Sequence, residues 1–110
     1  MDRKFVTTTN EITGYNVAEH LGVARGLTVR SSNLIGGLEA SFKSLVGGRI
    51  ESYINFCESA REEALTLLCE HAEQMGANAV LALRYDTNEI IAGTSEVLAY
   101  GTAVRLRKNA

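Results

Sequence analysis

Three features of the chain predict an α+β domain in which a sheet of long strands is covered by one long helix. They are an uninterrupted amphipathic stretch over 50–76, period-two alternation over 15–30 and again over 96–106, and a mostly apolar run over 79–86. In the first, apolar or weakly polar side chains recur at Ile50, Tyr53, Ile54, Cys57, Ala60, Ala64, Leu67, Leu68, His71 and Met75. Glu51, Glu58, Arg61, Glu62, Glu63, Glu70 and Glu73 fill the other side. This is helical spacing. Proline is absent and Gly76 stands where a left-handed cap ends a helix, so one helix of about seven turns follows.

Ahead of it, residues 5–9 are β-prone and 10–14 carry turn chemistry, which predicts a brief edge strand and a bend. From Tyr15 to Arg30 the odd positions are bulky and the even ones small, with Gly22, Ala24 and Gly26 forming a trough that another element can approach closely. Residues 31–48 change character. Ser32 or Asn33 can cap a helix, and Leu38, Phe42, Leu45 and Val46 make a short apolar stripe between glycine pairs at 36–37 and 47–48. A short helix is expected there.

After Gly76, residues 79–86 predict a second long strand, 86–94 a turn rich in Asp86, Asn88 and Gly93, and 96–106 a third strand that closes a hairpin with the second. Runs of strand and helix in this order indicate an antiparallel or mixed sheet with helix on one face. Both sheet faces carry apolar residues. The first long strand spans up to ~50 Å and the helix ~40 Å along a single line, so one helix leaves the second face to a neighbouring subunit.

At 110 residues the chain is of one-domain length, and no linker, repeat or charge block divides it. A net charge of −2 and a pI of 5.7 supply no field for a phosphate backbone or an anionic membrane, so neither nucleic acid nor membrane is an expected partner. The first ten residues lack the apolar core of a signal peptide and no window nears the ~20 apolar residues of a membrane span, which makes a cytoplasmic setting the expectation. Cys57 and Cys69 lie ~18 Å apart along one helix and cannot bridge within it.

No catalytic constellation assembles, and the chain is read as not an enzyme and as holding no cofactor. Cys57, Cys69, His71 and His20 are the residue types that hold soft metals, but no two of them form an i, i+4 pair and no C-x-x-C occurs. Cys57 is therefore read as a small core residue and His71 as a hydrogen-bonded core or interface group. Glu58 and Glu62 are read as a solvated pair offset by Arg61. The candidate binding residues are Gly47, Gly48 and Arg49. Glycine amides opening a helix beside an arginine can hold an anion, although the loop is neither a P-loop nor a dinucleotide fingerprint, and a hinge explains it as well.

The set Gly14-Tyr15, Gly22, Gly26, Leu45-Val-Gly-Gly-Arg49, Ala60-Arg-Glu-Glu-Ala64, Met75-Gly-Ala-Asn-Ala-Val80 and Tyr100-Gly-Thr-Ala-Val104 resembles the YbjQ-like family of small uncharacterised bacterial proteins, across nearly the whole chain. The resemblance implies a dodecin-subunit-like α+β fold and a homopentamer built through strands of adjacent subunits. It also brings a heavy-metal-binding label and offers no catalytic motif. Asn78 departs from the family pattern, standing where an acidic residue often follows Gly-Ala, and so removes an oxygen ligand. The expected function is a homo-oligomeric ring that binds or scaffolds, with the alternative of a metal or small-anion site between subunits.

Overall fold

The computed structural model describes residues 1–31, 45–46 and 49–110. A 3₁₀ turn at Arg3–Phe5 precedes strand β1 (Tyr15–Ser31), the two-residue strands β2 (Leu45–Val46) and β3 (Arg49–Ile50), helix α1 (Glu51–Gln74), and strands β4 (Ala79–Ile91) and β5 (Thr94–Lys108). The main sheet is antiparallel throughout, in the order β1-β5-β4, so the first long strand pairs with the last. This is the expected α+β architecture.

The helix lies over β1, and the small-residue trough is what lets it in. Ala24, Gly26 and Thr28 are buried along β1, and Ala60, Ala64, Leu68 and Ala72 are buried along α1. A row of residues at intervals of four runs obliquely to a helix axis, so the buried stripe drifts around α1 as it crosses the strand. That drift corrects the expected stripe: Ala72 and Cys69 are buried, while Cys57 and Leu67 are exposed. Approach is closest at Gly26, where a Cβ would stand 2.1 Å from the carbonyl oxygen of Ala64 and 2.3 Å from the amide nitrogen of Leu68. The sheet adds Val97, Ala99 and Ala103 of β5 and Val80 of β4 to this core.

A second, smaller core lies on the opposite sheet face at one end. Ala79, Leu81, Val104 and Leu106 pack there beneath Phe5, Ile12, Tyr15 and Val17. The Phe5 and Tyr15 rings meet edge to face with centroids 5.2 Å apart. The N-terminal segment is thus a partial cover. The expected edge strand over 5–9 is instead a 3₁₀ turn followed by a single parallel bridge between Val6 and Val80, with Ala82 donating to the Thr9 carbonyl and Leu83 to that of Thr7. Those bonds hold a bulge in β4 where Ala82 takes φ 56°.

Three further boundaries differ from expectation. Ile50 pairs with Leu45 in the small sheet, and α1 begins one residue later at Glu51. Leu45 and Val46, expected at the end of a short helix, form β2; the rest of that helix falls outside the described residues. Strand β4 runs on to Ile91, so Asp86 and Asn88 are strand residues, and the hairpin turns tightly at Ala92 and Gly93, where Gly93 takes φ 77°. Here continuous pairing with β5 outweighs local turn propensity. Gly76 takes φ 90° just beyond α1, as its capping position predicts.

Candidate functional site

Among the described residues, nothing covers the half of the sheet face opposite α1 that the N-terminal segment does not reach. Cross-strand partners share a face, and the register sets Val23, Arg25, Leu27 and Val29 of β1 opposite Thr102, Tyr100, Leu98 and Glu96 of β5. Arg84, Asp86 and Asn88 of β4 continue the last three of these rows. Val23 is 66% exposed, Leu27 49%, Val29 53% and Tyr100 38%. Five apolar side chains, Leu98 included, therefore meet solvent on one surface. The charges on it are segregated, with Arg25 and Arg84 in one row and Asp86 and Glu96 in the next two. The chain is also elongated. Its radius of gyration is 17.0 Å, against ~13 Å for a compact domain of this length.

At the free edge of β1 this face meets the helix. The imidazole of His71 reaches down from α1, and its Nδ1 accepts a 3.0 Å hydrogen bond from the backbone N–H of Arg25. Arg25, Leu27, His71, Glu96 and Leu98 line a cavity of about 450 Å³ there. The expectation that His71 is a hydrogen-bonded group matches this geometry, but its partner lies 46 residues away and helical spacing carries no trace of it. A second hollow of about 320 Å³ is lined by Tyr53, Ile54, Cys57, Glu58 and Arg61, all on α1.

Two polar clusters are structural. Thr28, buried in the β1 trough, donates a 2.6 Å hydrogen bond to Glu63 Oε1, and Arg30 binds the other carboxylate oxygen while also reaching Ser59. The hydrogen bond from Thr28 and, next, that from Arg30 hold the Glu63 carboxyl below its ordinary value. At the other end, the Asn78 side chain clamps Leu106 of β5. Its Oδ1 accepts from the Leu106 N–H at 2.7 Å and its Nδ2 donates to the Leu106 carbonyl at 3.0 Å. An amide serves this pair of bonds and a carboxylate does not, which gives Asn78 a structural role at this position.

The sequence-derived candidates separate. Gly47 and Gly48 lie outside the described residues, and the Arg49 backbone pairs with Val46 in the small sheet, so the helix opens only at Glu51, three residues past Gly48. Cys57 is exposed, not a core residue, while Cys69 is buried and burial pushes its thiol up. Among the described residues no three His, Cys, Asp or Glu side chains gather in a way that could hold a metal ion. The Asn78 oxygen, the nearest amide counterpart of a carboxylate ligand, is already occupied by Leu106. The donors among the described residues do not gather as a heavy-metal centre requires. No helix among the described residues is long and apolar enough to cross a membrane.

A three-stranded antiparallel sheet with a helix on one face and, among the described residues, a second face that is partly packed and partly exposed defines a small α+β domain. Residues 5–107 match the YbjQ_1 family, described as "Putative heavy-metal-binding", and the chain belongs to that family. It is 50% identical over 103 residues to a UPF0145 protein of Chromobacterium violaceum, covering 94% of this chain and 88% of that one. A UPF0145 protein of Solibacter usitatus is 47% identical over 103 residues, covering 94% and 92%. The fold is similar to that of a DUF74 family protein of unknown function from Pediococcus pentosaceus, with a TM-score of 0.62, 20% identity, and 94% of this chain and 97% of that chain covered.

Proposed function

We propose that this chain is a non-enzymatic, self-associating protein, a cytoplasmic homopentameric ring that acts by binding or scaffolding, with the bare sheet face as the contact between copies. The patch of exposed Val23, Leu27, Val29 and Tyr100 with half-buried Leu98 among them carries this reading. A contiguous apolar surface of this kind is uncommon on a monomer, and the neighbouring arginine and carboxylate rows give a second copy complementary charge to meet. Two unpaired cysteines support a reducing compartment.

The family's description favours a second reading, a metal or small-anion binder with sites formed between subunits. One described subunit lacks a complete donor set, so such a site draws ligands from more than one copy. Exposed Cys57 is the thiol available to it, and the Gly47-Gly48-Arg49 stretch remains its anion candidate.

Native mass spectrometry of untagged protein tests both. The expected result is a pentamer at protein-only mass that Leu27→Glu converts to folded monomer, because a buried unpaired carboxylate is costly at such a contact. A stoichiometric metal in the pentamer selects the second reading. A wild-type monomer at micromolar concentration overturns the first.

A further inference from the structure

We infer that His71 is a proton-operated clamp on the edge of β1 away from β5, and that its release loosens the contact between copies on the sheet face that this edge borders. The inference rests on the self-association proposed above and concerns how it is regulated. In the order β1-β5-β4, β1 has one paired side and, among the described residues, one unpaired side, and an unpaired strand edge presents backbone donors to any neighbour. At Arg25 the amide donor goes to His71 Nδ1, 46 residues on in the chain. Acceptance at Nδ1 requires that this nitrogen carry a lone pair, so the bond needs a neutral imidazole with its proton on Nε2. A second proton would have to enter at Nδ1. It would turn the acceptor into a donor aimed at another donor, and the bond would be lost.

The groups around His71 connect this event to the open face. Arg25 of β1 and Glu96 of β5 are the charged residues that line the same cavity, with Leu27 and Leu98 as its apolar wall. On α1 itself the adjacent charged residue is Glu70. Leu27 and Leu98 stand opposite each other in the face assigned to subunit contact, so the clamp borders that contact. Protonation therefore frees the Arg25 amide, adds a positive charge to the cavity that Arg25 also lines, and loosens α1 from β1 beside the face assigned to subunit contact.

The test follows wild type and His71→Asn between about pH 8 and pH 5.5, the range in which histidine titrates. Asn places an acceptor oxygen where Nδ1 stands and does not titrate. Nitrogen-detected NMR of wild type at the upper pH should show the Nε2–H tautomer. On acidification, amide exchange at Arg25, corrected for its intrinsic pH dependence, should become about tenfold faster, as the loss of one hydrogen bond predicts. The pentamer should dissociate at a higher protein concentration than at pH 8 in wild type, with both changes absent in His71→Asn. An Nδ1–H tautomer at pH 8 or an Arg25 amide indifferent to pH overturns the clamp, with no need for a variant. Equal pH dependence of assembly in His71→Asn overturns the coupling. A monomer at every pH overturns the coupling together with the self-association reading, and the tautomer and the Arg25 amide still decide the clamp separately.

Discussion

Replacing Gly26 by alanine should destabilise the protein by ~2–3 kcal/mol, and the sign of the effect tests the packing account directly. The added Cβ would lie 2.1 Å from the Ala64 carbonyl oxygen, 2.3 Å from the Leu68 amide nitrogen and 2.9 Å from the Leu67 carbonyl carbon. All three are backbone atoms, so no side chain can swing aside. Relief requires α1 to retreat by roughly 1 Å, and a gap of that size forfeits a quarter to a half of the dispersion attraction along the contact. The row Ala60, Ala64, Leu68 and Ala72 would then separate from Ala24 and Ala99 together. Overpacking of this kind costs ~1–3 kcal/mol, and backbone on every side places this site at the upper end. Gly26 has no positive φ, so backbone strain adds nothing. Without the clash, Gly→Ala would stabilise by ~0.4–1 kcal/mol through the unfolded chain, an effect of opposite sign. Thermal unfolding by circular dichroism at matched protein concentration should show a fall of roughly 10 °C. An unchanged or higher midpoint would refute the close approach of helix and strand.

Two further substitutions probe the polar clusters. Glu63 has a folded-state carboxyl held below its unfolded value by Thr28 and Arg30, so its contribution is present above the ordinary carboxyl range of ~4.3 and is lost as pH falls through the lower folded value. Urea midpoints of wild type and Glu63→Gln should accordingly differ near pH 6 and converge toward pH 3; a constant gap would show that the carboxylate is not the source. Asn78→Asp keeps one acceptor, loses the donor to the Leu106 carbonyl and sets a charge beside that oxygen. It should cost ~1–3 kcal/mol at neutral pH, and a urea midpoint equal to wild type would remove Asn78 from the clamp.

What was legible in the chain was what repetition writes into it. Residues 15–30 alternate bulky and small, and a trough of small side chains has few uses besides admitting another element, so a close approach at Gly22, Ala24 and Gly26 was legible, while the structure shows that the approaching element is α1 and that it comes closest to backbone at Gly26. The second apolar face was legible for the same reason. Local signals misled where a long pairing partner overrode them. Asp86 and Asn88 suggest a turn, yet β5 is long enough to keep them in register opposite Leu98 and Glu96. Cys57 and Leu67 fit a straight apolar stripe, but the helix crosses β1 obliquely and the buried row moves on to Cys69 and Ala72.

The contacts that bear on function were the least legible, since each joins positions with no shared periodicity. His71 reads as one more member of a helix face, and only the closeness of α1 to the β1 edge brings its Nδ1 to the Arg25 amide. That closeness is itself a consequence of Gly26. A side chain seven residues beyond Ala64 can reach over the strand because Ala64 sits against strand backbone. The glycine trough that builds the core therefore also places the imidazole at the rim of the exposed face. Gly26→Ala should then do more than lower the melting point: by lifting α1 it should break the 3.0 Å bond to Arg25 and expose that amide to exchange at neutral pH, as acidification is expected to do in wild type. Persistent protection of the Arg25 amide in a destabilised but folded Gly26→Ala protein would show that edge and core are held independently.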